Sequence, residues 1–161
     1  MLRQRSLGRV AFVSAVLVGI PEIIVEVLWH HWGMIAYYGH NPTRILGIPL
    51  YSIVQNSTLL PVFGFMTLLA VRYLRGPQLL WLLLIVPCVT IGYIVGVSWP
   101  VYLAIQSSAA APVTWAACLV TCAASLASGY AVLQSPPVRE RRAAAASGAP
   151  IEVVGPVEVG V

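Results

Sequence analysis

Four apolar runs divide this chain of 161 residues, and the polar positions within and between them set out its plan. A helix needs roughly 20 largely apolar residues to cross a bilayer. Runs at 10–28 (extending to 32), 57–73, 79–103 and 112–133 have that character, the second with a short helix leading in from residue 48. Gly39, Asn41, Pro42, Gly47 and Pro49 are turn formers and mark an outer loop at about 33–48. The stretch from residue 143, AAAASGAPIEVVGPVEVGV, has no period. Small residues, Gly and Pro make residues 135–161 read as a disordered tail.

Charge orients these runs. Arg3, Arg5 and Arg9 precede the first, Arg72 and Arg75 separate the second from the third, and Arg139, Arg141 and Arg142 follow the fourth. Arg44 alone falls on the other side, so the positive-inside rule puts both termini in the cytoplasm. The expected fold class is an all-α polytopic membrane protein: a basic cytoplasmic segment at 1–9, a four-helix transmembrane bundle at 10–134, and the cytoplasmic tail. The first run has the basic start of a signal peptide. Its carboxylates and the lack of a small-residue cleavage site make it a retained helix.

Composition agrees. The chain is 59% hydrophobic and 9% charged, and its mean hydropathy is +0.87. A soluble domain of this size has too little interior to hide so much apolar surface. The net charge of +4 comes from scattered arginines with no interleaved aromatics, so no nucleic acid partner is expected. The expected setting is the cytoplasmic membrane of a bacterium, with membrane lipid as surroundings. Cys88, Cys118 and Cys122 lack ligand spacing and read as small buried hydrophobes. The Asn56-Ser57-Thr58 sequon reads as accidental. Pro21, Pro61, Pro87 and Pro100 predict kinks, and the Ala, Ser and Gly of the fourth run predict close helix packing.

The candidate chemistry lies in PEIIVEVLWHH, residues 21–31. Glu22, Glu26 and His30 recur at i, i+4 and i+8, and so share one helical face. Starting at residue 10, Glu22 lies about 18 Å along the helix and Glu26 about 24 Å. Glu22 is thus the deeper and of the two the favoured acid, with Glu26 its partner. His30, nearer the interface, is the third catalytic candidate, as a group that orients Glu26. Charges at such depth face a bundle interior or water. Their bland alternative is a span ending near Ile20, with these groups among lipid headgroups and Trp29 and Trp32 as interfacial anchors. Two carboxyls one turn apart in a low dielectric do not both ionise cheaply, which leaves an acid beside a carboxylate. Such a pair donates a proton and later takes one back.

Aromatic side chains that stabilise cations are dense nearby. Trp29, Tyr37, Tyr38 and Tyr51 stand close in sequence, and Trp81, Tyr93 and Trp99 belong to the third run. With Asn56 they are the candidate substrate-binding residues. Acid and aromatic walls inside a membrane are what cyclisation of an isoprenoid through carbocations requires. For a metal, Glu22, Glu26, His30 and His31 offer ligands, but the one further histidine is His40, with no HExxH or ExxH pair. No metal and no cofactor is expected.

The motifs PEIIVE, YYG and GIPL, followed by a polar Asn, resemble small integral-membrane proteins of terpenoid and carotenoid biosynthesis. That group includes the membrane-bound terpene cyclases of fungal meroterpenoid and bacterial indole-terpenoid pathways. The resemblance covers about residues 20–57. It implies a lipophilic isoprenoid substrate and Glu22 or Glu26 as the acid that protonates an alkene or epoxide. Those cyclases commonly have more than four spans and take a second acid from another helix. The later runs here have no Asp or Glu, so the pair does both tasks or a homodimer completes the site. The alternative is a non-enzymatic membrane protein, a small transporter or accessory subunit, with the pair as a coupling site. No repeat relates the two halves, as carriers usually show.

Overall fold

A computed structural model describes residues 15–37, 39 and 41–147. The expected basic start at 1–9, Tyr38, His40 and the end of the tail at 148–161 lie outside the described residues. A π-helical turn, Ala15–Gly19, leads into α1, Ile20–His31. Pro21 follows the π-helical turn directly, and Gly19 just before it has right-handed helical dihedrals, so the helical path runs on through the proline and the irregular turn beside it takes up the missing N–H. The loop that follows folds into an antiparallel ribbon, β1 (Arg44–Ile45) with β2 (Ile48–Pro49). Its two-residue turn, Leu46 and Gly47, has positive φ at both positions (54° and 85°), the sign such hairpin turns require. This small sheet is a departure from the all-α expectation.

Three further helices carry the apolar bulk: α2 (Leu50–Tyr73), α3 (Leu82–Gln106, entered through a 3₁₀ segment, Gly76–Trp81) and α4 (Ala111–Gln134). Among the described residues these three are long and apolar enough to cross a membrane, so this is a membrane protein. The expected short helix from residue 48 is the first turns of α2, which runs on unbroken. In its polar centre the Ser57 and Thr58 hydroxyls are satisfied within the helix by the carbonyls of Ile53 and Val54. Pro61, Pro87 and Pro100 also lie inside continuous helices.

Directions follow from contacts. Tyr51 of α2 meets Tyr102 of α3 edge to face, with centroids 5.9 Å apart, and both pack beside Cys118 of α4. Further along, the Thr58 hydroxyl is 2.7 Å from that of Tyr93, which donates weakly to the Ser125 carbonyl. Hence α2 and α4 are parallel and α3 is antiparallel to both. Along α1, Gly19 faces Ser57, Glu22 meets Asn56 and Glu26 meets Ser52, so α1 runs antiparallel to α2. Arg72 and Arg75 therefore lie at the same end as the helix that follows α4, and Arg44 lies at the other.

The seam between these helices is polar and small. On α4 its buried positions are Thr114, Cys118, Thr121, Ser125 and Gly129, repeating every three or four residues. Ala116, Ala123 and Ala127 face outward, so the expected spine exists but is built from hydroxyls, a thiol and a glycine. Small side chains let helices approach in lipid, and hydroxyls find partners across the contact. Cys118 is buried as expected, while Cys88 is exposed on α3.

The tail differs from its expectation. Pro136–Ser147 forms a helix, α5. Ser135 is extended, its carbonyl accepts from Val138 and Arg139, and Pro136 follows at the first helical position. Ala, Arg and Glu then propagate the helix. Lack of hydrophobic period did not forbid helix here, because intrinsic propensity supplies it.

Candidate functional site

The only buried side chain of α1 is a carboxylate, Glu26, 7% exposed. It stands in the wall of an open-sided pocket of about 640 Å³ lined by α1, the loop, α2 and α3 at the Arg44 end. Its Oε1 accepts two hydroxyls: Tyr37, in a close contact from the loop, and Ser52 of α2 at 2.9 Å. Its Oε2 is buried with no hydrogen-bond partner. A buried carboxyl oxygen left without a donor is uncommon and calls for a functional or structural reason.

The loop is fastened so that Tyr37 reaches this carboxyl. The Arg44 guanidinium donates to the carbonyls of Tyr37 and Gly39. Asn41 Oδ1 accepts from the amide and hydroxyl of Thr43, which is fully buried. Gly47 rests on the His30 ring, where a Cβ would lie 2.8 Å from Cδ2; its positive φ gives a second reason for glycine. Burial first, then the hydrogen bond to Glu26 and its negative charge, hold the Tyr37 phenol well above the usual tyrosine range. Tyr37 therefore stays a donor to Glu26.

The far wall comes from α2 and α3. Gln55, 2% exposed, bridges the helices: its amide donates to the Ile94 carbonyl at 3.0 Å and its Oε1 accepts from Ser98 at 2.7 Å. Tyr51, Asn56, Tyr102 and Gln106 complete most of the polar surface. Tyr102 and Gln106 were not among the sequence candidates. Ser98, Tyr102 and Gln106 repeat every four residues in an otherwise apolar helix, which is the signal that could have found them.

The remaining candidates fall elsewhere. Glu22 does not line the pocket; it accepts from the Asn56 amide at 2.8 Å. Depth along the helix favoured Glu22 as the acid, but the loop closes over Glu26. The Asn56 amide is thereby engaged inside the protein. His30 stands outside the pocket wall, 6.2 Å from the Tyr37 ring between centroids, with Nδ1 buried and unpartnered. No hydrogen bond joins it to Glu26, so it is not placed to orient that carboxyl. Trp29, Trp81 and Trp99 are exposed, pointing away from the pocket, as amphipathic rings at a membrane surface do. Tyr93 belongs to the Thr58–Ser125 contact instead. Among the described residues no three His, Cys, Asp or Glu side chains gather to hold a metal. No family model matches the chain, and comparison with curated proteins and with solved structures likewise gives no match.

Proposed function

We propose that this protein is an integral-membrane terpene cyclase in which Glu26 starts cyclisation of a polyprenyl-type substrate by proton transfer. The observation that carries the reading is the asymmetry of that carboxyl: Oε1 engaged by Tyr37 and Ser52, Oε2 buried and unengaged at a pocket. In the acid form the proton sits on Oε2, because Oε1 already accepts two hydroxyls. The polar wall favours a substrate carrying oxygen, an epoxide above a bare alkene. Oε2 gives its proton to the epoxide oxygen, the carbon–oxygen bond breaks, and a chain double bond attacks the carbon released. The last carbocation loses a proton to the Glu26 carboxylate, restoring the acid with no net gain or loss of atoms. Tyr51 and Tyr102 supply ring surface to the cationic stages.

In this reading α1 with the residues before it is the fourth span of a bundle in a bacterial cytoplasmic membrane, with both termini cytoplasmic. The test is conversion of a prenylated epoxide by membranes holding equal amounts of each variant. Glu26→Gln removes the transferable proton and keeps the shape, so a loss of about 10²- to 10⁴-fold is expected. Glu22→Gln should cost far less. Undiminished turnover by Glu26→Gln would end the cyclase reading.

A further inference from the structure

We infer that the Glu26 pocket is a binding site for lipophilic ammonium cations, small alkylated amines or quaternary ammonium groups on an apolar chain. The inference rests on the reading of Glu26 as the reactive carboxyl in the pocket wall, and its test fails separately from that of the cyclase. A buried carboxylate is normally matched by a counter-ion, because a lone charge away from water is costly. Among the described residues none forms an ion pair with Glu26. The arginine at this end, Arg44, has its guanidinium on the Tyr37 and Gly39 carbonyls. Both donors on Glu26 are neutral hydroxyls, and both take the same oxygen. The second oxygen, in a side chain that is more than nine-tenths buried and belongs to the pocket wall, is therefore left without a partner.

The rest of the wall fits the same ligand. Tyr37, Tyr51 and Tyr102 all line the pocket, and aromatic rings around an anion are how alkylated ammonium groups are recognised. Such a cation needs few hydrogen-bond acceptors, in contrast to a hydrated metal ion. Ile94 and Ile105 offer apolar surface to its chain. The volume of about 640 Å³ suits a head group with a chain. An ammonium at Oε2 would also stand where a carbocation stands once the acid has given up its proton, so the ligand mimics that stage of the proposed reaction.

The experiment is calorimetric titration of the full chain in nanodiscs of zwitterionic lipid. The probes are a dodecyl trimethylammonium ion and its neutral carbon isostere, the same chain ending in a tert-butyl group, each corrected with empty nanodiscs. The native protein should bind the ammonium at least about tenfold more tightly than the isostere. Glu26→Gln should abolish that preference and Glu22→Gln should keep it. Equal binding of the two probes by the native protein overturns the inference without any variant. A preference that survives in Glu26→Gln overturns it too. Loss of preference in Glu26→Gln with turnover intact would leave the cation site standing and remove the cyclase. Turnover lost in Glu26→Gln, with no preference in the native protein, would do the reverse.

Discussion

Glu22 and Glu26 share a helical face, yet their partners divide their roles. Asn56 holds Glu22 with an amide, whereas Glu26 meets two hydroxyls and a pocket. The spacing i, i+4 was legible in the chain; which of the two the loop would cover was not. Tyr37 offers a test at this scale that needs no substrate. Its phenol is held above the usual range, so its ionisation should be absent near about pH 10, where a free tyrosine titrates. The difference in phenolate absorbance between the native protein and Tyr37→Phe should stay flat there. The sign for stability follows: a raised pKa in the folded state means the contribution is complete below about pH 10 and is lost as pH rises towards the folded value. Gln55 offers a second test. Gln55→Ala removes two contacts between α2 and α3, with the Ile94 carbonyl and Ser98. A loss on the order of 1–3 kcal/mol is expected from unfolding in mild detergent, since interhelical hydrogen bonds in membranes are worth roughly 0.5–2 kcal/mol each.

Among the elements, α2 and α4 are joined by close approach at small residues. A Cβ on Gly129 would lie 3.3 Å from the Thr58 methyl, so alanine is tight and a long side chain does not fit. Gly129→Leu should lower stability by about 1–3 kcal/mol through overpacking, read as a lower midpoint in the same detergent series. The ribbon is more sensitive to geometry. Gly47→Val adds a branched side chain at positive φ and against the His30 ring, so the loop should shift and the Tyr37 contact to Glu26 should fail. Restoration of ordinary titration to Tyr37 in that variant, by the same absorbance difference, is the expected result. The extents of α3 and α4 were legible to within a few residues, because length and hydropathy alone set them, whereas α2 begins well before its apolar run because its polar first turns belong to the same helix. The ribbon was not, because two residues per strand carry no periodicity.

Taken whole, the molecule gathers Arg72 and Arg75 with Arg139, Arg141 and Arg142 at one end and puts the pocket at the other, beside Arg44. If the arginine-rich end is cytoplasmic, as the proposal holds, the pocket opens towards the outer leaflet. Cysteine substitutions at Ser135 and Leu46 check this in intact cells: a membrane-impermeant thiol reagent should label position 46 and spare position 135. Native Cys88, Cys118 and Cys122 must first be changed to serine or alanine. The reverse pattern would invert the molecule and move substrate access to the inner leaflet.

What the sequence determined by itself was governed by sums along the chain. Apolar length set out the membrane character and four runs, three of which are helices long enough to cross a membrane, while scattered arginines set a polarity and the spacing of Glu22, Glu26 and His30 a polar face. Those quantities depend on neighbours in the chain, so the chain contains them. The tertiary structure decided which polar groups meet. Trp29, Trp81 and Trp99 are as aromatic as Tyr51 and Tyr102, yet rotation about the helix axes turns them outward and the tyrosines inward. Tyr37 reaches Glu26 because Arg44, Asn41 and Gly47 fix an irregular loop over α1. Burial of Glu26 and the unpartnered oxygen of its carboxyl follow from that closure, since a single helix leaves both of its acids equally bare and only packing separates them.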